Sequence, residues 1–186
     1  MTILIVILVL VILIGIYVVL YNGLVQLRVH AQESWSQIDV QLQRRNDLIP
    51  NLVSTVKGYS KYEASTLEKV TQLRTALNNV PDDDHAQKMA VSNELTGTLR
   101  TLFAVSENYP DLKASTEYQQ LMEELSNTEN KIAYSRQLYN STVAALDAKI
   151  QTFPSNLVAK LHHFTQMEYL QVLDDAKQTP KVSFDD

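Results

Sequence analysis

Residues 28, 31, 35, 38, 42, 45, 49, 52, 56, 59, 63, 66, 70, 73 and 77 are separated by alternating steps of three and four. Eleven of these fifteen positions are apolar or aromatic. A spacing that averages 3.5 residues keeps one face of a helix turned toward neighbouring helices over many turns, whereas a half-buried strand needs a period of two. The exceptions on the stripe are Arg28, Arg45, Glu63 and Thr66. With only four Gly and five Pro in 186 residues, the chain suits helices better than sheets. These features predict an all-α fold: a single N-terminal transmembrane helix followed by an elongated antiparallel helical bundle of about four helices.

The anchor comes first. From Ile3 to Leu20 the chain holds sixteen Ile, Leu or Val residues plus Gly15 and Tyr17, with no charge. Each Ile, Leu or Val favours the bilayer by roughly 0.3–0.6 kcal/mol, so the run favours insertion by about 5–10 kcal/mol. About 18 residues of helix just span a hydrocarbon core of about 30 Å. In lipid the backbone must satisfy its own hydrogen bonds, which makes the segment helical despite its β-branched content. Tyr17 and Tyr21 fall where an interfacial aromatic belt belongs. The run lacks a basic leader and a small-residue cleavage site, so it reads as an uncleaved anchor. Arg28, Arg44 and Arg45 follow it, and excess positive charge marks the cytoplasmic side. The expectation is a bacterial single-pass membrane protein with a short N-terminus outside and a cytoplasmic bundle.

Residues 1–20 are then the anchor, 21–177 the bundle and 178–186 a flexible tail. The first bundle helix is predicted over 21–79, kinked at Pro50, because Pro removes a backbone donor and clashes with the preceding turn. Asn78-Asn79-Val80-Pro81-Asp82-Asp83-Asp84 is a stop and turn whose Asp residues can cap the next helix. A second helix is expected over 84–108, with Met89, Leu95, Leu99, Leu102, Phe103 and Ser106 on one face. The third, 111–150, repeats the 3.5 spacing through Met122, Leu125, Glu129, Ile132, Arg136, Tyr139, Val143, Leu146 and Ile150. A fourth, 156–174, is expected with Ser155 as N-cap and with Leu157, Leu161, Phe164 and Tyr169 facing inward.

The ionisable residues on these stripes form the candidate site. An unpaired buried charge costs several kcal/mol, so the bundle must pair such groups or let water reach them. The expected network comprises Arg28, Arg45, Glu63, Glu107, Glu129, Arg136 and Asn140, with help from Asn130 and the hydroxyls of Tyr59 and Tyr139. Arg suits this role because its fork makes two parallel bonds to a carboxylate. Two roles stay open: fixing helix register, or binding a ligand or proton. A third reading has the charges flanking the core with only their stems buried.

Other chemistries find little support. With no Cys there is no disulfide, thiolate metal site or Cys nucleophile. A net charge of −5 without a basic stripe argues against nucleic acid. No Glu is followed three residues later by His, as di-metal bundles require, and no hydrolase motif occurs. The expectation is therefore no catalytic residue, no metal and no cofactor.

Several blocks together carry a family resemblance. They are Tyr21-Asn22-Gly23-Leu24-Val25, Trp35-Ser36-Gln37-Ile38-Asp39-Val40-Gln41-Leu42, and Arg44-Arg45-Asn46-Asp47-Leu48-Ile49-Pro50-Asn51-Leu52-Val53. Further along come Glu107-Asn108-Tyr109-Pro110-Asp111-Leu112-Lys113-Ala114, Arg136-Gln137-Leu138-Tyr139-Asn140, Phe153-Pro154-Ser155-Asn156 and Pro180-Lys181-Val182-Ser183-Phe184. In this order they resemble the bacterial LemA family. The chain departs at Leu161-His162-His163-Phe164, where relatives more often carry a Gly-containing segment. The resemblance implies a short N-terminal stub, one membrane helix, a helical bundle in the cytoplasm and no established catalytic activity. The expected function is a non-enzymatic membrane-anchored scaffold or interaction protein. Its partners are the lipid bilayer and either other membrane proteins or further copies of itself. The alternative is a sensor or ligand-binding module using the buried Arg/Glu network.

Overall fold

A computed structural model describes residues 1–58 and 64–171. Among them the chain forms six helices and no strand: α1 (Thr2–Lys57), α2 (Ala64–Asn79), α3 (His85–Ser106), α4 (Pro110–Ala114), α5 (Thr116–Gln151) and α6 (Ser155–Leu161). The backbone divides into two compact units. One comprises residues 1–40 and 131–169; the other comprises 41–130 with the segment from Leu170.

In the first unit, the apolar run of α1 is exposed from Ile3 to Val19. It is the one described helix apolar and long enough to cross a membrane. Beyond it, Leu24 joins Leu146 of α5 and Val158 and Ala159 of α6 in a buried cluster. Further along, the rings of Trp35 and Tyr139 meet edge to face with centroids 6.1 Å apart. The α5 partner's number falls as the α1 number rises, so the two helices run antiparallel here. The second unit has its own apolar core, in which Ile49, Leu52 and Val56 of α1 pack with residues of α2, α3, α4 and α5.

The 3.5 spacing is realised on both long helices. From Ala31 to Val56 every stripe position of α1 is buried, Arg45 included. On α5, Leu125, Ile132, Arg136, Tyr139, Val143 and Leu146 are buried. Helix boundaries differ from the expected ones in three places. The expected 21–79 helix is two helices: α1 runs through Pro50 without interruption and ends at Lys57, followed by Gly58, a poor helix former. Its last-turn lysine suits the negative end of the helix dipole. Pro50 does leave the Asn46 carbonyl without its usual partner. Arg74 Nε, from α2, donates to that oxygen at 3.3 Å. The expected helix from 111 is also two: α4 starts with Pro110 at its first position, and Ser115 separates it from α5.

The third difference is at α6, which stops at Leu161 rather than continuing to 174. His163 adopts a left-handed conformation (φ 54°). Its N–H donates to the Lys160 carbonyl, and the Phe164 N–H donates to the Ala159 carbonyl at 2.9 Å. This double closure ends a helix and usually has Gly at the left-handed position; here His163 occupies it. Ser155 does not cap α6: its hydroxyl donates to the Lys149 and Thr152 carbonyls instead. Leu157 and Leu161, expected inside, are 59% and 66% exposed, because the short α6 buries its small residues Ser155, Val158 and Ala159. Tyr169 is likewise exposed. At the other turn the expectation holds, since Asp84 caps α3 by accepting from the Gln87 N–H at 2.9 Å.

Candidate functional site

The polar cluster of the second unit is built around residues 44–50. The stripe directs Arg45 inward, and its side chain is 1% exposed against 27% for Glu129. Arg45 Nη1 donates to Glu129 Oε2 at 2.7 Å and to Thr96 Oγ1 at 2.8 Å. Arg45 Nη2 donates to Ser92 Oγ at 2.6 Å and to the Ser92 carbonyl at 3.1 Å. Thr96 Oγ1 in turn lies 2.9 Å from Glu129 Oε2, so its proton closes the cluster onto the carboxylate. One guanidinium thus joins α1, α3 and α5. Hydrogen bonds to a charged group contribute about 1.5–3 kcal/mol each, more than neutral ones. That gain offsets the cost of taking the guanidinium out of water.

The flanking residues extend these ties. Arg44 reaches Glu124 at 2.6 Å with both side chains half in solvent, a pair worth about 0–1 kcal/mol. Asn46 is buried, and its Nδ2 donates to Asn78 Oδ1 at 2.6 Å at the end of α2. With the Arg74 bond to the Asn46 carbonyl, α2 is held to α1 at the turn where Pro50 interrupts the backbone ladder. A cavity of about 310 Å³ opens beside the cluster, walled by Arg45, Thr96 and Glu129 on one side and by Leu99, Phe103 and Met122 on another.

Of the seven residues expected in one network, only Arg45 and Glu129 meet in a described contact. Arg28 is exposed on α1; it follows the apolar run before the buried part of the stripe begins at Ala31. Glu107 is also exposed, one residue past the end of α3, and pairs with Lys113 of the next helix, α4. Arg136 is buried and Asn140 half-buried on α5 in the first unit, both with interaction partners. Tyr139 donates its hydroxyl proton to the Glu168 carbonyl at 3.2 Å rather than to a carboxylate. Asn130 is exposed on the cavity wall. Glu63 and Tyr59 lie outside the described residues. Sequence reasoning missed Ser92, Thr96, Asn46, Arg74 and Asn78. Ser92 and Thr96 are spaced i, i+4 on the face that carries Leu95 and Leu99, a small polar pair on an apolar stripe that could have been read as partners for Arg45.

Burial pushes two phenols upward. Tyr118 is raised mainly by desolvation. Tyr139 is raised first by desolvation, then by the negative charges of Glu168 and Asp147. Among the described residues, no three His, Asp or Glu side chains come together in a group that could hold a metal ion.

The family model described as LemA family matches residues 34–184. The chain belongs to the LemA family. The match covers the cluster around Arg45, the stripe of α5 and that of α1 from Trp35 onward, and begins beyond the apolar run. Protein LemA of Metamycoplasma hominis is 32% identical over 151 residues, covering 79% of this chain and 68% of that protein. Magnetosome protein MamQ of Magnetospirillum gryphiswaldense is 24% identical over 173 residues, covering 80% of this chain and 64% of that one. Magnetosome protein MamQ 2 of Paramagnetospirillum magneticum is 25% identical over 175 residues, again with 64% of its length covered. The chain therefore spans just under two thirds of the length of these magnetosome relatives.

Proposed function

We propose that this LemA-family chain is a non-enzymatic, membrane-anchored interaction protein whose cytoplasmic helices present surfaces to other membrane proteins or to further copies of itself. The observation that carries this reading is the run from Ile3 to Val19, exposed throughout and continuous with a helix of the folded units. The polar groups of residues 44–50 support it. Their hydrogen-bonding capacity goes largely to neighbouring helices, as expected of groups that fix register. Anchoring in two dimensions raises local concentration, so modest lateral contacts suffice. Crosslinking from exposed positions of the bundle in native membranes, with co-purification, tests the proposal. Discrete higher-mass species with a reproducible partner or a second copy are expected; monomer alone, with nothing co-purifying, contradicts it.

One observation favours a second reading, ligand binding at the same cluster: the cavity bounded by Glu129 on a polar side and Phe103 and Met122 on an apolar one. Under that reading Glu129→Gln alters the response to a ligand or to pH more than it alters stability. Under the first reading, loss of stability dominates.

A further inference from the structure

Among the described residues the outward face of α6 has no partner, and its position along α1 says what covers it. Phe153, Leu157 and Leu161 are 75%, 59% and 66% exposed, at intervals of four residues across the turn before α6 and α6 itself. Isolated exposed leucines are ordinary, but Leu157 and Leu161 lie one turn apart on the same face of α6, with the exposed Phe153 in the turn just before it. The opposite face of α6, through Val158 and Ala159, packs in the cluster that includes Leu24 and, at its margin, Leu20 and Tyr21.

The end of α6 is tied to the last turn of the apolar run. His162 bonds the Tyr17 hydroxyl and lies 4.6 Å, centroid to centroid, from the Tyr21 ring. Phe164 meets Tyr21 edge to face at 6.2 Å. Tyr17 precedes Leu20 by three residues, which at 1.5 Å per residue is about 4–5 Å inside the end of the run. Leu161 adjoins His162 in sequence, and Leu157 is one turn earlier. Lys149 lies across α1 at Gly23, and Lys160 is exposed on α6, so cationic groups flank this face at the depth of lipid headgroups. An apolar face edged by lysines and aromatics is the pattern of a segment lying in the interfacial plane, roughly 5–10 Å into the headgroup–acyl boundary.

We propose that α6 and the turn before it form a second membrane contact, with Phe153, Leu157 and Leu161 inserted into the same leaflet from which α1 emerges. This contact fixes the tilt and rotation of the first unit against the bilayer, which one helix alone leaves free. The proposal rests on the reading of residues 3–20 as a membrane span.

The chain has no Cys, so single labels can be placed without background. The full chain, reconstituted in vesicles of phosphatidylcholine and phosphatidylglycerol, is nitroxide-labelled separately at Ile12→Cys, Leu157→Cys, Leu161→Cys and Tyr134→Cys. Tyr134 is an exposed position on α5. Collision with lipid-soluble oxygen is compared with collision with a water-soluble nickel chelate, and unlabelled far-UV CD checks folding. The expected ratio of oxygen to nickel collisions at Leu157 and Leu161 is several-fold above that at Tyr134 and below that at Ile12. Ratios at both leucines equal to that at Tyr134, with Ile12 in lipid, overturn the second contact and leave the anchor standing. A water-like ratio at Ile12 overturns the anchor and this contact together.

Discussion

At the scale of single residues, Arg45 carries the most consequence. Its fork ties α3 and α5 to α1 through Ser92, Thr96 and Glu129, so truncation leaves a carboxylate and two hydroxyls without their donor. Arg45→Ala is expected to lower unfolding free energy by about 3–5 kcal/mol, the range for breaking one side of a buried ion pair. Arg45→Met combined with Glu129→Leu should recover most of that loss, since paired apolar replacements of similar volume are often neutral. Denaturant unfolding followed by far-UV CD measures both. A loss below about 0.5 kcal/mol for Arg45→Ala would mean the guanidinium is a surface group in practice. The buried phenols give a second residue-scale prediction. Tyr118 and Tyr139 have pKa values raised above the ordinary 10.0. A raised pKa means the folded state holds the proton more tightly. The associated stability is fully present below about pH 10 and falls as pH rises through the folded-state value. Trp35 is the one tryptophan and touches Tyr139, so its fluorescence should report alkaline unfolding. Tyr139→Phe should flatten that dependence relative to the unsubstituted chain.

At the scale of elements, the passage of α1 through Pro50 and the early end of α6 have local explanations. Helix α1 passes through Pro50 because the carbonyl it orphans finds Arg74 of α2. A double-mutant cycle follows. Arg74→Ala should cost about 0.5–1.5 kcal/mol in the natural sequence and clearly less in a Pro50→Ala background, where the backbone bond is restored. Equal costs in both backgrounds would separate Arg74 from the proline. Helix α6 ends because His163 adopts the left-handed conformation that costs a non-glycine residue roughly 1–2 kcal/mol. His163→Gly is therefore expected to raise stability by about 1 kcal/mol, read as an increased thermal midpoint; a decrease would show that the imidazole makes a contact worth more than the strain. These elements also mark what was legible beforehand. The 3.5 spacing located the buried faces of α1 and α5 and put Arg45 and Glu129 on those stripes, because periodicity reports burial directly. It did not show the break after Lys57, since the apolar pattern resumes in phase on α2 and Gly58 alone is a weak signal. Nor did it show which stripe charges would meet. Pairing of Arg45 with Ser92 and Thr96 depends on where α3 lies, and one-dimensional spacing carries no such information. The outward turn of Leu157 and Leu161 was misread for a related reason: a helix of under two turns has too few residues for its apolar face to be read reliably.

At the scale of the whole molecule, the chain combines an exposed apolar run with two compact units, each with its own buried apolar cluster. Residues 3–19 are exposed in the described fold, and removing that much Ile, Leu and Val from water is worth about 5–10 kcal/mol in a bilayer. The family match begins at residue 34, so the family signature lies on the folded units, beyond the run that is the candidate membrane anchor. Sedimentation with membranes after alkaline carbonate washing tests this most directly, using the full chain and a variant with Leu8→Arg and Ile12→Arg. Each arginine near the bilayer centre costs about 2.5–3.5 kcal/mol, enough together to offset most of the insertion energy. The unsubstituted chain is expected to stay in the pellet and the double variant to move to the supernatant with its helical far-UV CD retained. Release of the unsubstituted chain by carbonate would contradict a membrane-spanning anchor.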